Sequence, residues 1–326
     1  MSLQYRMHLP EDIDELVKFW NEHSGWDQID RNEWERRFLY TPFGSASVAL
    51  AEEKMTNEIV AQLIFVPTIV KVDGSNRKAY RPFAMVVKQN KKPAGYLKLV
   101  DLIFKMYSHA VDNFKENNIS LIHMIPDPRW SGLLRFFPAL QVGSFPLWSM
   151  PLATEEKFIL PGGYSVKSIN ANDKQIDILW EESSKLYGCS VLRNAASLPW
   201  KTSHGNYELT GIYKNEELKG VVSSVAKLKD KQWLICDMMT SDGDETLTTT
   251  IQAAYNRALD YKMTGLKHGE ALDKVAILST PLIERSITPL GFKKDNYKFP
   301  MLVHLLDSTL TKKQVAPERW YASAND

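Results

Sequence analysis

Between positions 47 and 87 apolar residues come in short, β-like blocks, and after the basic run that follows they switch to helical spacing. Tyr5 to Leu9 predicts a short strand. Pro10-Glu11-Asp12 opens a helix on which Ile13, Leu16, Val17 and Trp20 share a face, and Asn32 to Tyr40 predicts a second helix that stops before Pro42. Ser47 to Ala51 and Ile59 to Val66 are β-type runs joined by a polar turn at Lys54 to Glu58. Thr68 to Val72 leads into an Asp73-Gly74 turn, and Tyr80 to Val87 closes an antiparallel meander. After the basic stretch Lys88 to Lys92, Leu99, Ile103, Tyr107, Ala110 and Phe114 line one broad face of a long helix. Ile119 to Ile125 is an apolar strand ended by Pro126-Asp127-Pro128. Trp130 to Phe137 predicts a short helix, and Gly143 to Leu152 a last strand.

The series begins again after Pro161-Gly162-Gly163, which sets the expected domains at 1–160 and 161–326. Val166 to Asp173 parallels Tyr5 to Asp12, and Ile176, Leu179 and Trp180 mark a helix. Tyr207 to Tyr213 and Leu218 to Lys227 flank a turn at Lys214 to Glu217, and Gln232 to Met239 takes the place of Phe83 to Val87. Leu247, Ile251, Ala254, Tyr255 and Ala258 give Thr246 to Tyr261 one apolar face, and Val275 to Ser279 repeats the strand that ended at Pro126. Strands that follow one another before a helix intervenes predict an α+β class with a mixed, mostly antiparallel sheet, not a doubly wound one.

Composition narrows the function. With 326 residues, 44% hydrophobic content and a formal net charge of +1, the chain has enough apolar material for two cores and no bulk charge to recruit nucleic acid. Two distant cysteines, Cys189 and Cys236, suit a reducing compartment, and no stretch reads as a leader or a membrane span. A cytoplasmic protein with no membrane or nucleic-acid partner is the expectation. The seven histidines show no metal-ligand spacing, so no metal is expected.

The strand, basic loop and helix from Phe83 to Phe114 point backbone N–H groups and a helix N-terminus at one spot, where an anion can rest. This stretch resembles the core of the GNAT N-acetyltransferase superfamily. Members carry Arg or Gln, two residues, Gly, one residue and then Gly or Ala at the turn after the fourth strand. Gln89 takes the first place, Ala94 the last and Leu97 the apolar position beyond, while Lys92 stands where the middle Gly is expected. The whole chain is similar to a tandem, two-domain form associated with bacterial polysaccharide synthesis. The likeness rests on Ile125-Pro126-Asp127-Pro128, on Val191-Leu192-Arg193-Asn194 through Leu198-Pro199-Trp200-Lys201, and on the tail from Arg319-Trp320-Tyr321.

The resemblance implies two GNAT-like domains and an acetyl-CoA co-substrate. Its acyl group would pass to an amine of a small molecule or an amino sugar. It places the cofactor on Met85, Val86, Val87, Gln89, Asn90, Lys91, Lys92, Pro93, Ala94 and Gly95, with oxyanion donors from the backbone near Met85 to Val87. The family's thiolate-protonating Tyr is replaced by Phe136 in the first half and Ile287 in the second, neither of which carries a proton. Ser241-Asp242-Gly243-Asp244-Glu245 puts acid where the first half has base, which repels a pyrophosphate and suits a helix start. The first half is therefore expected to hold the acyl-CoA, the second to shape the acceptor site or act as scaffold. Asp237 is the candidate general base, with Glu52 and Glu53 as lesser ones. His123 fits a core histidine better than a cleft one, and Trp130, Trp148, Trp200 and Trp233 fit the core better than a sugar platform. Two other readings stay open: a catalytically degenerate binding or scaffold protein, and a Fem-type aminoacyltransferase.

Overall fold

The computed structural model describes residues 2–88, 96–130, 137–152, 156–241, 243–265 and 271–326. Its residues divide into two compact units. Unit 1 comprises 1–70, 76–141 and 302–311; unit 2 comprises 71–75, 142–301 and 312–326. The junction at Pro161-Gly162-Gly163 lies inside unit 2, and each unit is assembled from separated stretches of sequence.

In unit 1, β1 (Leu3–Met7), β2 (Ser47–Glu53), β3 (Ile59–Val72), β4 (Ser75–Val87) and β5 (Leu121–Met124) follow one another across the sheet. β1 to β3 pair antiparallel, and β4 pairs parallel with β5 at Ala79↔Leu121 and Tyr80↔Ile122. The far side of β5 is covered by the end of β13 (Lys293–Leu305), in the antiparallel register Leu302↔Met124 to Leu305↔Leu121. β3 is one strand where two runs split at Pro67 were expected. Asp73 and Gly74 both take positive φ in the turn that follows, a conformation a two-residue hairpin requires. The helix α1 spans Ile13–His23. The next, α2 (Arg31–Trp34), is capped by the Asp30 carboxylate accepting from the Glu33 N–H at 2.7 Å.

The long helix α3 (Tyr96–Glu116) buries Ile103, Tyr107, Ala110 and Phe114, four of the five residues its periodicity predicted. Ala49, Ala51 and Ala61 on β2 and β3 face it, and their small side chains let its large residues reach the sheet, where Phe65 meets Phe114 edge-on. Each fully buried aromatic there contributes about 1.5–3 kcal/mol.

Unit 2 carries β6 (Leu140–Pro151), β7 (Tyr164–Ser168), β8 (Cys189–Val191), β9 (Glu208–Lys214), β10 (Glu217–Lys227), β11 (Gln232–Thr240), β12 (Lys274–Leu278) and β14 (Trp320–Tyr321). Its main sheet runs β6-β12-β11-β10-β9-β7, with β11 and β12 parallel and the other adjacent pairs antiparallel. The helices are α4 (Gln175–Ser183), α5 (Ser197–Thr202), α6 (Gly243–Gly265) and α7 (Pro281–Ile287). All five apolar positions predicted for α6 are buried. Gly220 on β10 lets α6 approach: a Cβ there would lie 2.5 Å from Thr250 Oγ1. The short parallel pair β8–β14, Trp320↔Cys189 and Tyr321↔Ser190, was not foreseen. It brings the stretch 320–326 into the interior of unit 2.

Candidate functional site

The register between β10 and β11 shifts between Ser223 and Ser224, so Cys236 bulges from β11, and Asp237 returns opposite Ser223 on the face toward α5. Asp237 is 5% exposed and sits among ionic groups contributed by distant stretches of sequence. The Arg193 Nε donates to Asp237 Oδ1 at 2.7 Å, its Nη1 to the Val191 carbonyl at 2.5 Å, and its Nη2 to Ser323 Oγ at 3.3 Å and to the Asp326 carboxylate. Lys201 Nζ reaches Asp326 Oδ1 at 2.9 Å and lies 3.5 Å from Asp237 Oδ2. The Met238 N–H, just past the bulge, donates both to Asp237 Oδ1 at 2.9 Å and to the Tyr321 hydroxyl at 3.0 Å. Arg193 lies over the Tyr321 ring at 4.4 Å, and Tyr187 stacks on that ring.

Burial opposes the charge on Arg193, but Asp237 and Asp326 outweigh it and hold the guanidinium more firmly protonated than usual. Burial first, and then the Asp237 charge, push the Tyr321 hydroxyl well above its ordinary range, so it remains a neutral partner. A recess of ≈ 10 Å³, room for one water-sized group, is walled by Lys201, Thr202, Val221, Ser223, Asp237 and Asn325, among others. Ser223 Oγ and Asp237 Oδ2 have no hydrogen-bond partner. Thr202 also stands on the wall of a wider cleft of ≈ 540 Å³, where the Arg257 guanidinium pairs with Glu208 at 2.8 Å.

Unit 1 is built differently. β4 runs on to Val87, and α3 begins at Tyr96. Val86 and Val87 are buried, and Val87 packs into the α3 core with Met85 against its edge. Gln89, Asn90, Lys91, Lys92, Pro93, Ala94 and Gly95, as well as Phe136 and Asp242, lie outside the described residues. Lys88, the first of the basic run, is ion-paired with Glu58. Glu52 is buried and receives Arg6 Nε at 2.8 Å and Gln4 Nε2 at 3.0 Å, which occupies it structurally; Glu53 is half-buried at the end of β2. His123 is a buried residue of β5, opposite Val303. Trp148 and Trp233 belong to the unit 2 core, Trp200 is half-buried on α5, and Trp130 is exposed. Trp26 and Phe83, both exposed, meet at 5.7 Å beside β4.

No family model and no curated protein matches the sequence. Solved structures do. A protein from Enterococcus faecalis V583, described as a probable N-acyltransferase, superposes with a TM-score of 0.67 at 10% identity, over 94% of this chain and 73% of that one. A tandem GNAT protein from the clavulanic acid biosynthesis pathway matches with a TM-score of 0.58 at 12% identity, over 94% of this chain and 99% of that one. The chain has the tandem GNAT fold. Saccharomyces cerevisiae N-myristoyltransferase, solved with myristoyl-CoA, also matches, with a TM-score of 0.58 at 10% identity over 94% of this chain and 79% of that one. At such identities the likeness speaks for the fold.

Among the described residues no group of three His, Cys, Asp or Glu could hold a metal ion, and no helix is long and apolar enough to cross a membrane. Asp237 stands out in the sequence by its place on the strand before a long helix. Arg193 and Lys201 enter the sequence reading only within the motif at 191–201, and Asp326 lies at the end of the tail that begins at Arg319. Nothing local in the sequence tells that these four meet, because Arg193 is separated from Asp237 by 44 positions and from Asp326 by 133.

Proposed function

We propose that the protein is an acyl-CoA-dependent N-acyltransferase, with acetyl-CoA as the donor and an amine of a small molecule or an amino sugar as the acceptor. Unit 1 takes the acyl-CoA, and unit 2 has an acceptor-binding or scaffold role. The observation that carries the division is the Met238 N–H. It lies at the bulge of β11, the unit 2 counterpart of β4, and it is already engaged by Tyr321 and Asp237 inside a packed ionic network. A backbone donor committed in this way is not available to a developing oxyanion.

In unit 1, β4 leads through the segment 89–95 into the N-terminus of α3, an order suited to a pyrophosphate. Lys91 and Lys92 would add ammonium contacts. The acceptor amine attacks the thioester carbonyl, the backbone N–H groups near Met85 to Val87 receive the negative oxygen, and collapse expels the CoA thiolate. With Phe136 and Ile287 in place of the family's Tyr, water is the proposed source of the thiolate's proton. Asp237 is engaged by Arg193 and Lys201 within unit 2, so the proton given up by the attacking amine is proposed to pass to water.

Calorimetry with acetyl-CoA on the full chain tests the reading. Micromolar binding that falls at least tenfold when Lys91 and Lys92 are both changed to Glu is the expected outcome. Absence of heat and of any thermal shift at millimolar acetyl-CoA would overturn it. Myristoyl-CoA in parallel reads the acyl length.

A further inference from the structure

The cleft in unit 2 takes no part in the acyl-transfer step proposed above, whichever role unit 2 has toward the acceptor. Its wall is made by Ser168 at the end of β7 and Asn170 just past it, by Thr202 at the end of α5, by Tyr207 and Glu208 at the start of β9, and by Arg257 on α6. At ≈ 540 Å³ it falls within the usual range for small-molecule sites. Its charges cancel internally: Arg257 Nη2 and Nε donate to Glu208 Oε2 at 2.8 and 3.1 Å. An anion entering there finds its cation already neutralised, and a cation finds its carboxylate taken. What the wall offers is an aromatic ring, an amide, hydroxyls and both partners of a neutral pair, groups that donate and accept in turn.

The recess adjoins this cleft through Thr202, and Tyr207 of the cleft is hydrogen-bonded at 3.3 Å to Asn325 of the recess. Ser223 Oγ and Asp237 Oδ2 stand in the recess wall, each on a residue more than nine-tenths buried; the serine hydroxyl has no hydrogen-bond partner, and the carboxylate oxygen has only the Lys201 ammonium at 3.5 Å. Buried polar atoms are rarely left so, because an unmet group costs about 1–3 kcal/mol. The space fits one water-sized group that donates to the carboxylate oxygen and exchanges a hydrogen bond with the serine. A hydroxyl does both. An ammonium would stand beside Lys201, itself 3.5 Å from the same oxygen, and be repelled.

We propose that unit 2 binds a neutral, polyhydroxylated small molecule of mono- to disaccharide size, with its ring against Tyr207 and one hydroxyl seated between Ser223 and Asp237. The site is independent of CoA. Ligand-observed saturation-transfer NMR and calorimetry on the full chain, with D-glucose and maltose as probes and no CoA present, test it. Saturable binding of at least one sugar is expected. Ser223→Ala, which preserves volume, should weaken it about tenfold, and Tyr207→Ala more. Failure of both sugars to bind at tens of millimolar, displacement of bound sugar by citrate, or equal affinity in both variants would overturn the proposal. Acetyl-CoA calorimetry on the same samples reads the acyltransferase assignment separately.

Discussion

Replacing Arg193 by Met tests the buried network most directly. Two cations, Arg193 and Lys201, face two anions, Asp237 and Asp326, so the cluster is neutral, 2 − 2 = 0. Methionine fills much of the same space but leaves 1 − 2 = −1, a net charge with 1% of the Arg193 side chain's surface open to solvent. The substitution also frees the Val191 carbonyl and removes the cation from over the Tyr321 ring. Breaking a buried pair by removing one partner costs about 3–5 kcal/mol, and with Lys201 still in reach of both carboxylates the lower figure applies. Roughly 3 kcal/mol is on the order of a hundredfold in a local opening equilibrium. Hydrogen exchange of peptides covering 232–240 and 320–326 measures that opening, with circular dichroism confirming that the variant folds. Adding Asp237→Asn to Arg193→Met restores neutrality and should recover about 1–3 kcal/mol as a coupling term. Exchange less than tenfold faster in the single variant, or no recovery in the double, would refute the reasoning.

Burial pushes the thiols of Cys189 and Cys236 up to about 12, so maleimide should label neither in the native chain at neutral pH and both after unfolding. Since unfolding restores the ordinary value of 9.0, these thiols favour the folded state up to about pH 9, and that contribution is lost as the pH rises toward 12. His8 and His304 are both lowered below 6.5, chiefly by burial. His8 Nδ1 accepts from the Val48 N–H at 3.1 Å, and His304 Nδ1 lies 3.0 Å from the Tyr107 hydroxyl. Each is neutral when folded, so stability is whole above 6.5 and falls as acid charges the unfolded state first; urea midpoints taken across that range read the loss, and His8→Gln and His304→Gln should flatten it. Gly220→Ala should cost about 1–3 kcal/mol by driving a methyl into Thr250 Oγ1, and adding Thr250→Ala should return most of it in a denaturation midpoint.

Periodicity made the two long helices and the hairpins legible, because a helix or strand that buries one face must repeat its apolar residues at 3.6 or 2. The Asp73-Gly74 turn was equally plain from its residues. Pro67 suggested a break, yet β3 passes through it unbroken. The short β8 and β14 escaped because a parallel pair of strands far apart in sequence leaves no hairpin signature. The same non-locality hid the candidate site. Asp237 looks like any acidic residue until the fold delivers Arg193, Lys201 and Asp326 to it, and Tyr321 looks like a tail aromatic until its hydroxyl meets the Met238 N–H.

Residues 302–305 close the open edge of β5, yet 177 residues separate Met124 from Leu302 in the chain. A nascent chain that has emerged only through residue 301 holds the rest of unit 1 but carries a strand with an unsatisfied row of N–H and C=O groups. At about 5–20 residues per second, the stretch between β5 and residue 302 takes roughly ten to forty seconds to translate. Throughout that interval the edge is a template for another chain. The chain therefore passes through that interval with an edge exposed to mispairing, and a holding chaperone that masks β5 until residues 302–305 have emerged would raise its yield more than one that acts afterwards.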